Sequence, residues 1–140
     1  MPPETTSQLL SKVPILSSMS ASDLKRFEKA GRELTFQTGK KILAQGDTGV
    51  GFYMVLDGEV EVRRAGKLVA KLGRGDFFGE LSLLDKMPRN ADVVALKPTR
   101  CFTLVSWAFE GLVKSNPKIA LKMMEEVARR LRGSGDSITH

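Results

Sequence analysis

The chain has 140 residues, a formal net charge of +6, 41% hydrophobic and 27% charged side chains, which suits one soluble domain with a real core and excludes wholesale disorder. Its only histidine is His140 and its only cysteine Cys101. These exclude a histidine-built metal site, a histidine general base or haem ligand inside the fold, an iron–sulfur cluster and an internal disulfide.

In chain order, the first ten residues lack the basic-then-apolar pattern of a signal peptide. The stretch SQLLSKVPIL supplies about two helical turns before Pro14. In SASDLKRFEKAGREL, Ser20 or Ser22 caps a second helix that carries Leu24 and Phe27 on one face, with Gly31 as its stop. From Leu34 the rhythm changes to two, with glycines at positions such as Gly39, Gly46, Gly58, Gly66 and Gly79. Between them lie the β-prone pieces ELTFQ, KILAQ, FYMVLD, EVEVRR, KLVAKL and CFTLVS. In EVEVRR, Val60 and Val62 face one way and Glu59, Glu61 and Arg63 the other. The Arg64-Ala65-Gly66-Lys67 stretch reads as a hairpin turn. Short strands at this spacing predict an antiparallel barrel or sandwich.

Helix returns at the end. Ser106 is the expected N-cap of WAFEGLVKS, and Asn116-Pro117 the expected opening of KIALKMMEEVARRLR. Ala120, Met124, Val127, Ala128 and Leu131 share one face of that helix. Residues 1–96 carry a net charge of +2 and residues 97–132 a net of +5, read as a solvated basic helix face rather than a nucleic-acid surface. Cys101 sits in the apolar run CFTLV and is expected to be buried. Residues 101–109 are far short of a membrane span, and with one cysteine the expected compartment is the cytoplasm.

The stretch FFGELSLLDKMPRNADVVA, residues 77–95, carries the chemistry. It interrupts the β region with a helix-compatible piece entered through glycine. Free N–H groups in a first helical turn favour an anion. Gly79 lets backbone approach a ligand without a Cβ in the way, and Arg89 supplies a planar fork for two phosphate oxygens. Glu80, an acceptor at neutral pH, suits hydroxyls such as those of a ribose. The bland alternative is a Glu80–Arg89 ion pair that only braces the loop.

Residues 73–91, GRGDFFGELSLLDKMPRNA, resemble the phosphate-binding cassette of cyclic nucleotide-binding domains, the family that includes the catabolite activator protein and protein kinase A regulatory subunits. AQGDTGVGFYMVLDGEVEV resembles the family's strand–turn–strand signature, with Gly46, Tyr53, Gly58, Val60 and Val62 at its matching positions. The likeness spans about residues 10–132. It implies a mainly β fold, an eight-stranded antiparallel jelly-roll-like β-barrel over 33–105, with helices at 6–31 and 106–132 and a flexible tail at 133–140. It also implies roles. Arg89, with backbone N–H groups of Gly79, Leu81, Ser82 and Ala91, would hold the cyclic phosphate, and Glu80 with Gly79 the ribose. Val62, Val69 and Ala70 would line the base, and the final helix would lid it through Met124, Val127, Arg130 or Leu131. Asn90 departs from the Ala, Ser or Thr usual there; it is able to bond phosphate, purine or loop backbone. The cGMP-associated Thr is absent, so cAMP is the favoured ligand over cGMP.

The leading expectation is a non-enzymatic cyclic nucleotide sensor that signals through its last helix to an effector, with a homodimer through that helix as a further expectation. A second is the sensing part of a DNA-binding regulator. That reading needs a helix-turn-helix beyond the long helix, so nucleic acid is not expected as a partner of this chain alone. A third is a protein-interaction or dimerisation module on the same fold. An enzyme on a cupin-like barrel would need an interior His/Glu metal set, which the composition denies.

Overall fold

The computed structural model describes residues 5–13, 16, 19–47, 51–79 and 89–133, and in the last helix not the side chains of 123, 126, 127, 130, 131 and 133. The chain opens with α1 (Thr6–Leu10) and α2 (Ala21–Ala30). Thr5 and Gln8 form a capping box: Thr5 Oγ1 accepts from Gln8 N at 3.1 Å, and Thr5 N donates to Gln8 Oε1 at 2.7 Å. Of the two candidate serines, Ser20 caps α2, its Oγ accepting from Asp23 N at 3.1 Å. Gly31 ends α2, but not in the left-handed conformation expected of a stop glycine, for its φ is −120°. Glycine is needed there for room, because a Cβ would stand 2.4 Å from Thr103 O and 2.6 Å from the Phe102 ring.

Eight strands follow: β1 (Arg32–Phe36), β2 (Lys41–Leu43), β3 (Gly51–Asp57), β4 (Glu59–Arg64), β5 (Lys67–Gly73), β6 (Phe77–Phe78), β7 (Asp92–Ala95) and β8 (Thr99–Val105). They form two antiparallel four-stranded sheets, ordered β1-β8-β3-β6 and β2-β7-β4-β5. Among the described residues no strand pair joins the sheets into a closed barrel, so the jelly-roll-like arrangement is a pair of facing sheets. Ala65 (φ 54°) and Gly66 (φ 79°) make the β4–β5 turn, where positive φ at both central residues matches the twist of the paired strands.

Two apolar clusters explain why β3 reads as buried almost throughout. Between the sheets lie Leu43, Val55, Val60, Val62, Leu72, Phe78, Ala91, Val93 and Cys101. On the far side of the first sheet, Phe52, Met54, Phe77, Phe102 and Leu104 meet Leu9, Leu10 and Phe27 from the N-terminal helices and Phe109, Leu112 and Ile119 from the C-terminal ones. The first sheet is therefore covered on both faces, whereas the second has one face in the core, which is why EVEVRR alternates and FYMVL does not. On the outer face of β4, Glu61 is almost buried and takes Arg63 Nε at 2.6 Å.

α3 (Ser106–Ser115) and α4 (Lys118–Gly133) close the chain. Val105, not the expected Ser106, occupies the N-cap of α3, and no side chain caps it; Ser106 lies inside the first turn and is buried instead. Asn116 terminates α3, its backbone N donating to Leu112 O at 2.8 Å. Its side chain does not cap α4 but donates through Nδ2 to Asp23 Oδ2 at 3.3 Å, tying the C-terminal helices to α2. Among the described side chains of α4, Ile119 is buried, while Leu121 and Met124 are exposed.

Candidate functional site

The chain leaves the first sheet at Gly79, directly after β6, and enters the second at β7, so the segment between them bridges the two sheets. Gly79 has φ +79° and is buried. A Cβ there would stand 2.8 Å from Arg89 Nη1 and 3.3 Å from Gly51 O. Glycine is thus demanded twice, by conformation and by the approach of the guanidinium.

Arg89 is only 6% exposed. Its Nη1 donates to Gly79 O at 3.2 Å, which joins the two ends of the bridging segment. Its backbone is fixed as well: Arg89 N donates to Asp47 O at 2.7 Å and Arg89 O accepts from Gly46 N at 2.8 Å. A buried guanidinium is costly unless its donors and charge are matched. The fold therefore holds a cation in place at the junction of its two sheets, beside a glycine that leaves space.

Around that cation, the expected site residues divide as follows. Ala91 is buried in the inter-sheet cluster, and Asn90 is half-buried, its carbonyl accepting from Arg64 Nε at 3.2 Å. Val62 is fully buried and pairs in register with Ala70 on β5 and with Val93 on β7. Val69 falls at the register shift opposite Val62 and Arg63, and both it and Ala70 are half-buried against the inter-sheet cluster. Met124 is 65% exposed. Glu80, Leu81 and Ser82 lie outside the described residues, as do the side chains of Val127, Arg130 and Leu131. Among the described residues no group of three His, Cys, Asp or Glu is placed to hold a metal ion, and no helix is long and apolar enough to cross a membrane.

Sequence reasoning passed over three residues that border this site: Gln45, Asp47 and Arg64. The signal for Arg64 lay in the same alternation that sorted Val60 and Val62 from Glu61 and Arg63, since one step further puts Arg64 on the inward face. Asp47 contributes only its backbone carbonyl, which side-chain chemistry does not announce.

Residues 33–116 match the family model described as the cyclic nucleotide-binding domain. The chain is 35% identical over 137 residues to the cAMP-dependent protein kinase regulatory subunit of Schizosaccharomyces pombe, covering 94% of this chain and 32% of that protein. The chain thus spans about a third of the length of that curated relative, and 28% of a similar one from Yarrowia lipolytica. Among solved structures, the Thermus thermophilus catabolite activator protein superposes with a TM-score of 0.79 at 31% identity, over 86% of this chain and 59% of that one. A structure described as Sp-2Cl-cAMPS bound to PKAR CBD2 gives 0.77 at 25% identity, over 91% and 88%.

Proposed function

The chain belongs to the cyclic nucleotide-binding domain family, and from that premise we propose that it senses a cyclic purine nucleotide, cAMP in preference to cGMP, and acts as a regulatory binding module rather than a catalyst. Arg89 pairs with the cyclic phosphate. Backbone N–H groups of Gly79, Leu81, Ser82 and Ala91 complete that cradle, and Asn90 borders it. Glu80 and Gly79 hold the ribose. Val62, Val69 and Ala70 line the base, and α4 closes over it through Arg130 or a neighbouring side chain. The effector is a protein kinase, in keeping with the similarity to kinase regulatory subunits.

The observation that carries this reading is the buried Arg89 guanidinium, held at the sheet junction against a glycine whose conformation keeps a side chain out of the way. A charge fixed in a low-dielectric setting binds an anion more strongly than the same charge in water. Buried Val62 and half-buried Val69 and Ala70 supply apolar surface, which fits a purine better than a second charged group. A ligand shifts the α4 equilibrium only by its differential affinity for the two states; one or two charge-assisted hydrogen bonds, at about 1.5–3 kcal/mol each, are enough for a typical coupling.

Calorimetric titration with cAMP and cGMP tests the reading. Binding of cAMP is expected in wild type and loss of it in Arg89→Ala. No heat with either nucleotide at millimolar concentration, or an Arg89→Ala variant that binds as wild type does, refutes it.

A further inference from the structure

We propose that Arg64, together with Gln45 and Asp92, forms a clamp that positions Arg89 for anion binding, and this rests on the nucleotide-binding reading above. Arg64 follows Val60 and Val62 on the inward side of β4. A cation on an otherwise valine-lined face needs hydrogen-bond partners to offset its lost hydration. Arg64 Nε donates to the carbonyl of Asn90, the residue directly after Arg89. From the other side, the loop before β3 grips the same segment. Gly46 N bonds Arg89 O at 2.8 Å, Arg89 N bonds Asp47 O at 2.7 Å, and Gln45 N bonds Asp92 Oδ1 at 2.7 Å. Gln45 then links the two grips, because its side-chain Oε1 accepts from Ala65 N at 2.9 Å, at the tip of the β4–β5 turn.

Residues 89–92 are therefore held from both sides, by the 45–47 loop and by the β4–β5 tip, and these two supports hold each other. An anion site needs this kind of fixing. A phosphate meets the guanidinium fork in one geometry, and freedom in Arg89 must be lost on binding. Lys41 Nζ, 3.6 Å from Asp92 Oδ2, completes the charge around the outer end of the clamp. Arg64 acts through Asn90 and so on Arg89; it is a positioning residue, with no contact to the phosphate required.

The test is a double-mutant cycle with cAMP, using Arg64→Met, which keeps the stem but removes the donor, in wild-type and Arg89→Lys backgrounds. Arg64→Met should weaken cAMP binding about tenfold in the wild-type background and less than about twofold beside Arg89→Lys, because coupled residues are non-additive. Equal losses in both backgrounds overturn the clamp. Amide hydrogen exchange on the ligand-free protein supplies a readout that needs no nucleotide. Exchange at Gly46 and Arg89 should speed up in Arg64→Met while that at Val60 and Val93 stays unchanged, and unaltered exchange at Gly46 and Arg89 overturns the proposal. Should wild type bind neither cAMP nor cGMP, the nucleotide reading fails and the exchange result alone decides the clamp.

Discussion

Gly79→Ala isolates the contact on which the site is built. The substitution acts in two ways. With φ at +79°, any Cβ carries a backbone strain of about 1–2 kcal/mol. The new methyl would also stand 2.8 Å from Arg89 Nη1. Real Cβ contacts under 3.0 Å are essentially never seen and ordinary ones begin at 3.4 Å, so the guanidinium must withdraw by about 0.2–0.6 Å, and Gly51 O at 3.3 Å restricts the alternative of moving the methyl. The Nη1 bond to Gly79 O is already 3.2 Å long, so withdrawal weakens it further and at the upper end of that range breaks it. A charge-assisted bond of this type contributes about 1.5–3 kcal/mol, and misplacing the same fork from a ligand phosphate weakens cAMP binding by about 10- to 100-fold. Gly39→Ala is the control. Its φ is +86° and nothing lies within 4 Å of its added Cβ, so it carries the strain alone. Calorimetry with cAMP, and thermal unfolding without it, on both variants separates the effects. If Gly79→Ala binds cAMP as tightly as Gly39→Ala does, the coupling between Gly79 and Arg89 is wrong.

Three further outcomes follow from the fold. Gly31→Ala, with no unusual φ but a Cβ that would meet Thr103 O at 2.4 Å, should cost about 1–3 kcal/mol by overpacking and lower the melting temperature more than Gly39→Ala; an equal effect would contradict the close approach. Arg100 donates to Glu33 through Nε at 3.0 Å and Nη2 at 2.8 Å, with Thr6 Oγ1 adding a bond at 2.6 Å. The Arg100 hydrogen bonds hold the Glu33 carboxyl below its ordinary value against a smaller opposing effect of burial. A lowered carboxylate pKa contributes stability above its unfolded value that is lost as pH falls through the folded one. The deficit of Glu33→Gln in chemical denaturation, about 1–2 kcal/mol at neutral pH, should therefore shrink below about pH 4.5. Burial, with a smaller contribution from Glu33, pushes the Cys101 thiol up to about 12 from 9.0. A raised thiol pKa favours the folded state below the unfolded value and loses that advantage as pH rises between the two. Wild type should thus lose stability faster than Cys101→Ala between pH 9 and 12, by up to about 1.4 kcal/mol per pH unit, and parallel curves would refute it.

How much of this was legible beforehand depends on the range of the interaction. Hydrophobic period and turn chemistry are local, so α1, α2, the β4–β5 turn and the strands in ELTFQ, KILAQ, FYMVLD, EVEVRR, KLVAKL and CFTLVS stood in the sequence, whereas the short β6 and β7 did not. Caps were less secure because several side chains compete for one backbone end: Ser20 prevailed over Ser22, and Ser106 lost its place by one residue. Gly31 was legible as a stop but for the wrong cause, since the constraint is a carbonyl 72 positions along the chain at Thr103. The resemblance of residues 73–91 gave Gly79 and Arg89. No local pattern announced that Gly46 and Asp47 meet the segment that carries Arg89, because those contacts use backbone atoms alone.

The position of the site at the end of β6 has a mechanical consequence. Phe77 and Phe78 are consecutive, so strand geometry sends them to opposite faces of the first sheet. Phe77 enters the cluster under the helices and Phe78 the cluster between the sheets. Phe78 stacks on Tyr53 at a ring separation of 5.2 Å. On the other face Phe77 meets Phe52 at 6.5 Å, and Phe52 meets Phe109 of α3 at 5.5 Å, both edge to face. A shift of the backbone at Gly79 therefore acts on two close-packed cores at once, and such cores pass on displacement instead of absorbing it. The ring series from Phe77 through Phe52 to Phe109 is continuous contact from the strand that ends at Gly79 to the first C-terminal helix. If the proposed nucleotide binding moves α3 and α4, this ring series is a route of direct contact by which a displacement at Gly79 reaches α3.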